Sequence, residues 1–179
     1  MSHRVLDLDR YVPALITFVS NKLSAGASSV YRKNFNLGVT DWRIIAMLAV
    51  EPNITASRVA QVIGLNKAAV SRSLKSLRDR SLVSVVYDNK NERRKLVALT
   101  QEGLKTHDDV MSVALARESL LLEPLTDDEV DVFIGILQKL HKQVDVVNAM
   151  DPSEEESNEV FGLPDDKLKR HTIEVKDRA

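Results

Sequence analysis

Small and basic residues recur at helical spacing between Lys67 and Lys75. At 100° per residue, one side of a helix here would present Ala68, Ser71, Arg72 and Lys75, with Lys67 at its start. Arg and Lys side chains can bind O6 and N7 of guanine, Ser can bond to several base edges, and an Ala methyl can contact the thymine methyl. These five residues are therefore candidate DNA contacts, in the major groove.

A second basic group follows in the polar run at residues 88–94 and continues to Lys95. Lys90, Arg93 and Arg94 lie within the same six residues as Lys95. Such a density of positive charge suits contact with phosphates, or insertion into a narrow, electronegative minor groove. Lys90, Arg93 and Arg94 are therefore further candidate DNA contacts.

The distribution of charge supports a phosphate-binding surface, although the net charge of the chain is only −1. Residues 58–99 contain 10 basic and 3 acidic residues, a net charge of +7. Residues 1–57 carry +2, residues 100–150 carry −6 and residues 151–179 carry −4. One segment thus holds most of the excess of basic over acidic residues, as expected of a nucleic-acid-binding region.

The first basic group requires a helix, and local signals predict one over Lys67–Arg80. Asn66 is a good N-cap, and an apolar stripe of Val70, Leu74 and Leu77 can face a core. A short helix that begins after Thr55 and ends at Gly64 precedes it. Two short helices joined by a three-residue turn that contains Gly indicate a helix-turn-helix.

The second basic group requires a loop between strands. Leu82–Tyr87 and Lys95–Leu99 are both strand-like, and the polar run between them predicts a β-hairpin with a charged tip. A polar hairpin is usually only a loop, but one that directly follows a helix-turn-helix is typical of the wing of a winged helix.

Three further helices are predicted at Leu6–Tyr31, at Asp41–Val50 with Thr40 as N-cap, and from Thr100 to about Leu122. A capping box at Thr126–Glu129 begins a last helix. Its apolar positions step by three and four residues: Val130, Phe133, Leu137, Leu140, Val144 and Val147. Such an a/d seam requires a partner helix.

The sequence therefore predicts a mainly α fold with a small β-hairpin wing, in which a winged helix-turn-helix lobe is joined to a helical dimerisation region. The predicted parts are an N-terminal dimerisation helix (1–37), the DNA-binding lobe (38–100), C-terminal dimerisation helices (101–150) and a tail (151–179). The tail is acidic and poor in aromatic residues, which predicts disorder.

Three motifs together give a resemblance to the MarR (multiple antibiotic resistance regulator) family of bacterial transcription factors. They are residues 39–45 (VTDWRII), 65–72 (LNKAAVSR) and 88–100 (DNKNERRKLVALT). The resemblance covers about residues 8–148 and implies an obligate homodimer on a pseudo-palindromic operator in double-stranded DNA. It also implies recognition helices in successive major grooves and wings in the flanking minor grooves.

One position of the wing departs from the family pattern. The family usually has an Asp two residues before the Arg at the tip, whereas this chain has Asn91 before Arg93. An amide oxygen can still accept a hydrogen bond, but it lacks the charge that would hold the guanidinium firmly.

Members of the family often bind a small effector, and the resemblance implies an aromatic or acyl anion that releases a repressor from DNA. The candidate residues are Phe18, Trp42, Arg43, Met47, His107 and Met111. Arg43 could pair with a carboxylate, and the others could line an apolar pocket. An ordinary core position is the favoured explanation of Phe18, Trp42, Met47 and Met111, and a surface or ion-pairing position that of Arg43.

Other classes of protein are disfavoured. The chain has no cysteine and scattered histidines, so no metal site is predicted. It lacks nucleotide-binding and nucleophile motifs, so neither an enzyme nor a cofactor is expected. It also lacks a membrane span or signal peptide, which predicts a cytoplasmic protein without membrane contact.

The alternative function is a winged-helix module for protein assembly, without specific DNA binding.

Overall fold

The computed structural model describes residues 2–88, 91–151 and 169–176. Its elements, in chain order, are β1 (Ser2–Leu6), α1 (Val12–Phe35), α2 (Val39–Val50), α3 (Ala56–Ile63), α4 (Lys67–Asp79), β2 (Val83–Asp88), β3 (Asn91–Leu99), α5 (Gln101–Leu122), α6 (Asp127–Asn148) and β4 (Thr172–Lys176). In the described residues, β1 pairs with β4 and β2 pairs with β3, both antiparallel. The predicted mainly α fold with a small hairpin is confirmed.

The chain forms two compact units. The lobe unit runs from Lys22 to Leu121, and the terminal unit contains the described residues up to Asn21 and from Leu122 onward. The lobe unit is wider than the predicted lobe of 38–100, because Tyr31 of α1 and Val110 of α5 are buried in the same core. Its most deeply buried side chains are Leu37, Ile44, Ile45, Leu48, Val59, Val70, Leu77 and Val110.

The predicted helix-turn-helix is present as α3 and α4. Thr55 accepts a hydrogen bond from the Arg58 N–H (3.2 Å), and Asn66 accepts one from the Ala69 N–H (2.8 Å), so both predicted N-caps are confirmed. Gly64 ends α3 with φ +67°, in the left-handed region that glycine adopts without steric cost. The turn thus sets where α4 begins.

Two predictions about the first helices are wrong. The first helix spans Val12–Phe35 rather than Leu6–Tyr31, since the chain up to Leu6 is a strand. The N-cap of α2 is Gly38, not Thr40. The carboxylate of Asp41 accepts the Gly38 N–H (2.8 Å), so the helix begins two residues earlier than it would with Thr40 as its cap.

The terminal unit contains the β1–β4 sheet and α6. The capping box that begins α6 is confirmed: Thr126 accepts the Glu129 N–H (3.3 Å), and Glu129 accepts the Thr126 N–H (2.9 Å). Two hydrogen bonds from Thr126 lower the pKa of Glu129. The one from the backbone N–H has the larger effect and the one from the side chain the smaller. Of the described residues in this unit, none is buried.

The prediction that residues 151–179 are largely disordered does not hold for residues 172–176. Residues 172–176 form β4, whose partner β1 lies at the opposite end of the sequence. A compositional signal cannot detect such a pairing, because the stabilising partner is remote in sequence. Residues 152–168 and 177–179 lie outside the described residues.

Candidate nucleic-acid interface

Helix α4 presents the predicted polar face to solvent. The exposed residues on it are Lys67, Ala68, Ser71, Arg72 and Lys75. On the opposite side, Val70 and Leu77 are fully buried in the core of the lobe unit. The buried stripe fixes the rotation of the helix, so the basic and small residues are available to a ligand.

A polar contact between α2 and α4 also holds the helix. The hydroxyl of Ser73, which is 7% exposed, donates to Oδ1 of Asp41. The other oxygen of Asp41 accepts the Gly38 N–H at 2.8 Å. A single carboxylate therefore begins α2 and positions the middle of α4.

A second contact holds the far end of α4. The guanidinium of Arg80, the C-cap residue, donates to the backbone oxygens of Asn36 (2.7 Å) and Phe35 (3.1 Å). These carbonyls lie at the C-terminus of α1, where a positive charge is favourable because of the helix dipole. Periodicity missed both polar contacts, since their partners lie 32 and 44–45 residues away.

An isolated antiparallel bridge connects strand β3 of the wing to the residue just before the helix-turn-helix. Ile54 and Val97 exchange backbone hydrogen bonds of 3.3 and 2.8 Å, and both residues are buried. The β2–β3 ladder pairs Val83 with Leu99 and continues to Tyr87 opposite Lys95. The base of the wing is therefore part of the lobe core.

The described part of the wing carries exposed positive charge. Arg94 and Lys95 are both exposed, and Nζ of Lys95 lies 5.9 Å from the centroid of the Tyr87 ring. Tyr87, which the strand register places beside Lys95, is not among the residues predicted for the site. The candidate Lys90 lies outside the described residues, and only the backbone of Arg93 is described.

Another basic residue near α4 is engaged in an ion pair. The guanidinium of Arg58 on α3 donates to both oxygens of Glu51 at 3.2–3.3 Å. The pair is exposed on both sides, so it contributes little to stability. The ion pair engages the guanidinium of Arg58, which lies shortly before the start of α4 in the sequence.

The predicted effector residues are only partly brought together. Trp42 and His107 stack, with ring centroids 5.6 Å apart and planes at 27°. The buried ring of Tyr31 meets Trp42 edge-on at 6.1 Å. Nη2 of Arg43, the residue after Trp42, donates to Oγ of Ser24 at 2.8 Å.

The other three candidates differ from this group. Met47 is half-buried against the core, as the core alternative expects. Met111 on α5 is 38% exposed, and Phe18 is 46% exposed in the terminal unit. The described residues contain no group of three His, Cys, Asp or Glu side chains suited to a metal ion, and no described helix is long and apolar enough to span a membrane.

Comparison with known proteins gives consistent matches. A family model described as "MarR family" matches residues 35–95. The HTH-type transcriptional regulator TcaR of Staphylococcus aureus (strain Newman) is 32% identical over 115 residues, which cover 60% of this chain and 76% of TcaR.

Solved structures match over a larger part of the chain. A MarR/EmrR family transcriptional regulator from Acinetobacter sp. ADP1 is 32% identical with a TM-score of 0.73, and the match covers 78% of this chain and 99% of that one. CouR from Rhodococcus jostii RHA1, solved bound to p-coumaroyl-CoA, is 22% identical with a TM-score of 0.66 and coverages of 74% and 93%. The second likeness supports the fold alone.

Proposed function

The chain belongs to the MarR family of transcriptional regulators, and on that premise we propose that it binds a pseudo-palindromic operator in double-stranded DNA as a homodimer. It is a DNA-binding regulator, as its relatives are. Because those relatives are not enzymes, we propose that it has no catalytic activity and needs no cofactor. The DNA that it regulates is in the cytoplasm, which is its proposed location.

The observation that carries this proposal is the face of α4. Lys67, Ala68, Ser71, Arg72 and Lys75 are exposed together, while the buried stripe and the Ser73–Asp41 contact fix the rotation of the helix. An α-helix fits the major groove, and residues near its N-terminus reach the base edges. We assign base reading to Ser71 and Arg72.

The wing supplies contacts that do not depend on sequence. Arg94 and Lys95 are exposed on β3, and the same stretch of sequence contains the basic residues Lys90 and Arg93. Phosphate contacts of this kind increase the affinity for all sequences and make it depend on salt. We expect Arg94 to act in this way.

The terminal unit supports the homodimer. No described residue of this unit is buried. Helix α6 exposes a row of large apolar side chains at heptad spacing: Phe133, Leu137, Leu140, Val144 and Val147. Such a surface is stable in water only if it is covered. A second copy covers it in a symmetric dimer, which also presents two α4 helices to two half-sites.

The proposed effector site lies around Trp42. Trp42 stacks on His107 and supplies an aromatic ring, and Arg43, the next residue in the chain, supplies a guanidinium that donates to Ser24. This chemistry suits an aromatic or acyl anion, and CouR, which has the same fold, was solved with an aromatic acyl thioester. We propose that such an anion releases a repressor from its operator.

DNA binding is tested by fluorescence anisotropy with the promoter region of the protein's own gene and a scrambled fragment. We expect Arg72→Ala to weaken binding to the promoter by about 1–3 kcal/mol and to relax the preference at one position. Arg94→Ala should weaken binding to both fragments equally and reduce the salt slope by about 1. Lys139→Ala on α6, off the heptad seam, is the matched control for loss of charge.

Two outcomes of this experiment would contradict the assignment. Equal, sequence-independent losses for Arg72→Ala and Arg94→Ala would show that α4 does not read bases. Absence of specific binding even at low salt would favour a winged-helix module for protein assembly.

The effector proposal has a built-in reporter, because Trp42 is the one tryptophan of the chain. Aromatic carboxylates and their coenzyme A thioesters are titrated while tryptophan fluorescence and DNA release are followed. Quenching that saturates together with DNA release, and that weakens in Arg43→Met, is expected. Release of DNA without any change in fluorescence would place the effector elsewhere.

A further inference from the structure

The two ends of the described chain meet in one small sheet. β1 and β4 pair over five residues each, from Leu6 opposite Thr172 to Ser2 opposite Lys176. The ladder continues where the Asp7 N–H donates to the His171 oxygen at 2.7 Å. This terminal sheet, residues 2–6 with 172–176, joins segments that are farthest apart in the sequence.

The terminal sheet has one apolar face. Directly opposed residues share a face, so Val5 and Ile173 lie with Val175, and His3 completes that face. Arg4 and Glu174, which are opposite in charge, lie on the other face, with Leu6 as the apolar residue at its end. Ile173 is 49% and Val175 is 37% exposed, and Val5 is half-buried, so the apolar face is partly open to solvent.

A surface of this kind requires a partner. An isolated two-stranded sheet is at best marginally stable in water, and it becomes stable when its apolar face packs on another element. The terminal unit offers no core of its own, because none of its described residues is buried. The stabilising contact must therefore come from an apolar surface outside a single terminal unit.

A second copy of this chain fits that requirement. β1 and the first turns of α1 follow each other in the chain and belong to the same unit. Those turns expose Val12, Leu15, Ile16 and Val19, so the start of α1 carries uncovered apolar side chains as the sheet does. In a two-fold dimer, the same patch of each copy faces its partner. The match with the Acinetobacter structure covers 99% of that chain but only 78% of this one. This chain therefore contains residues outside the shared fold.

We propose that the terminal sheet is an additional part of the dimer interface, in which the apolar face of Val5, Ile173 and Val175 packs against the second copy. The proposal rests on the homodimer proposed above. In such a dimer, the two chain ends of each copy reinforce the contact between copies.

The test uses Ile173→Lys, which places a charge on the apolar face, and Thr172→Lys, which places the same charge on the opposite face one residue earlier. Both are made with and without Arg4→Cys/Glu174→Cys. The natural chain has no cysteine, and the Cβ atoms of opposed residues lie about 4.5–5.5 Å apart, so a small adjustment permits a disulfide within one chain. That disulfide holds the sheet together, so any loss of dimer is not due to separation of the strands.

Sedimentation equilibrium of the full-length chain gives the dimer dissociation constant of each variant. With the sheet locked, we expect Ile173→Lys to raise this constant at least about tenfold, equivalent to about 1.4 kcal/mol. Each dimer contains the substitution twice, which increases the effect. Thr172→Lys should change the constant less than about threefold, equivalent to about 0.6 kcal/mol.

The proposal is overturned if locked Ile173→Lys dimerises as tightly as the locked parent, or if the disulfide does not form within one chain. In either case, a dimer that persists through α1 and α6 leaves the proposed function intact. A parent protein that is monomeric at micromolar concentration would instead contradict the homodimer itself.

Discussion

The contact between Ser73 and Asp41 determines how firmly α4 is held, and its contribution can be measured by a double-mutant cycle. Ser73→Ala removes the hydroxyl that donates to Asp41, and Asp41→Ala removes both that contact and the acceptor of the Gly38 N–H. The double variant loses the same interactions as Asp41→Ala alone. The cycle therefore isolates the pair.

The expected magnitude follows from burial and charge. A hydrogen bond to a charged group contributes about 1.5–3 kcal/mol, and because Asp41 is only half-buried we expect about 1.5 kcal/mol for Ser73→Ala. Loss of the helix-start contact adds about 1 kcal/mol, so Asp41→Ala should cost about 2.5 kcal/mol. The coupling energy between the two substitutions is then about 1.5 kcal/mol.

Urea denaturation at one fixed protein concentration gives these values, since the stability of a dimer depends on concentration. Ser76→Ala, an exposed position on the same helix, is the matched control and should stay within about 0.5 kcal/mol of the parent. Ser73→Ala should also weaken specific DNA binding more than binding to scrambled DNA. A coupling energy below about 0.5 kcal/mol would refute the structural role assigned to this contact.

Three further substitutions test how the lobe unit is built. Arg80→Met should lower the free energy of unfolding by about 1 kcal/mol through loss of its contacts with the end of α1, whereas Arg78→Met, exposed on the same helix, should change it less than about 0.5 kcal/mol. Ser81→Gly should raise it by about 0.5–1 kcal/mol, because Ser81 has φ +59° in the left-handed region, and thermal unfolding would show the gain. Gly103→Ala should cost about 3 kcal/mol, since a Cβ there would clash with the backbone oxygen of Leu82; a stable, DNA-binding variant would contradict this packing.

Local signals predicted the parts of the fold that depend on local chemistry. Thr55, Asn66 and Thr126 act as N-caps as expected, because each cap needs only a side chain and an N–H three residues later. The outward face of α4 was also predictable from its period. The cap of α2 was not predictable in this way, because Gly38 has no side chain and its N–H donates to the carboxylate of Asp41.

Long-range contacts were beyond sequence reasoning. The β1–β4 pairing joins two five-residue segments at opposite ends of the chain, and neither carries enough pattern to specify a partner. The contacts that hold α4, from Ser73 and Arg80, likewise depend on tertiary structure. The composition of the candidate site could thus be predicted, but not the contacts that fix its orientation.

Footprinting on the promoter of the protein's own gene tests the central claim, that α4 of each copy in a dimer reads bases in the major groove. We expect two protected half-sites whose centres lie about 10 base pairs apart, one turn of the double helix. Methylation at N7 of one guanine in each half-site should interfere with binding of the parent protein, and this interference should disappear in Arg72→Ala. Uniform protection along the fragment, or interference that Arg72→Ala leaves unchanged, would contradict the claim.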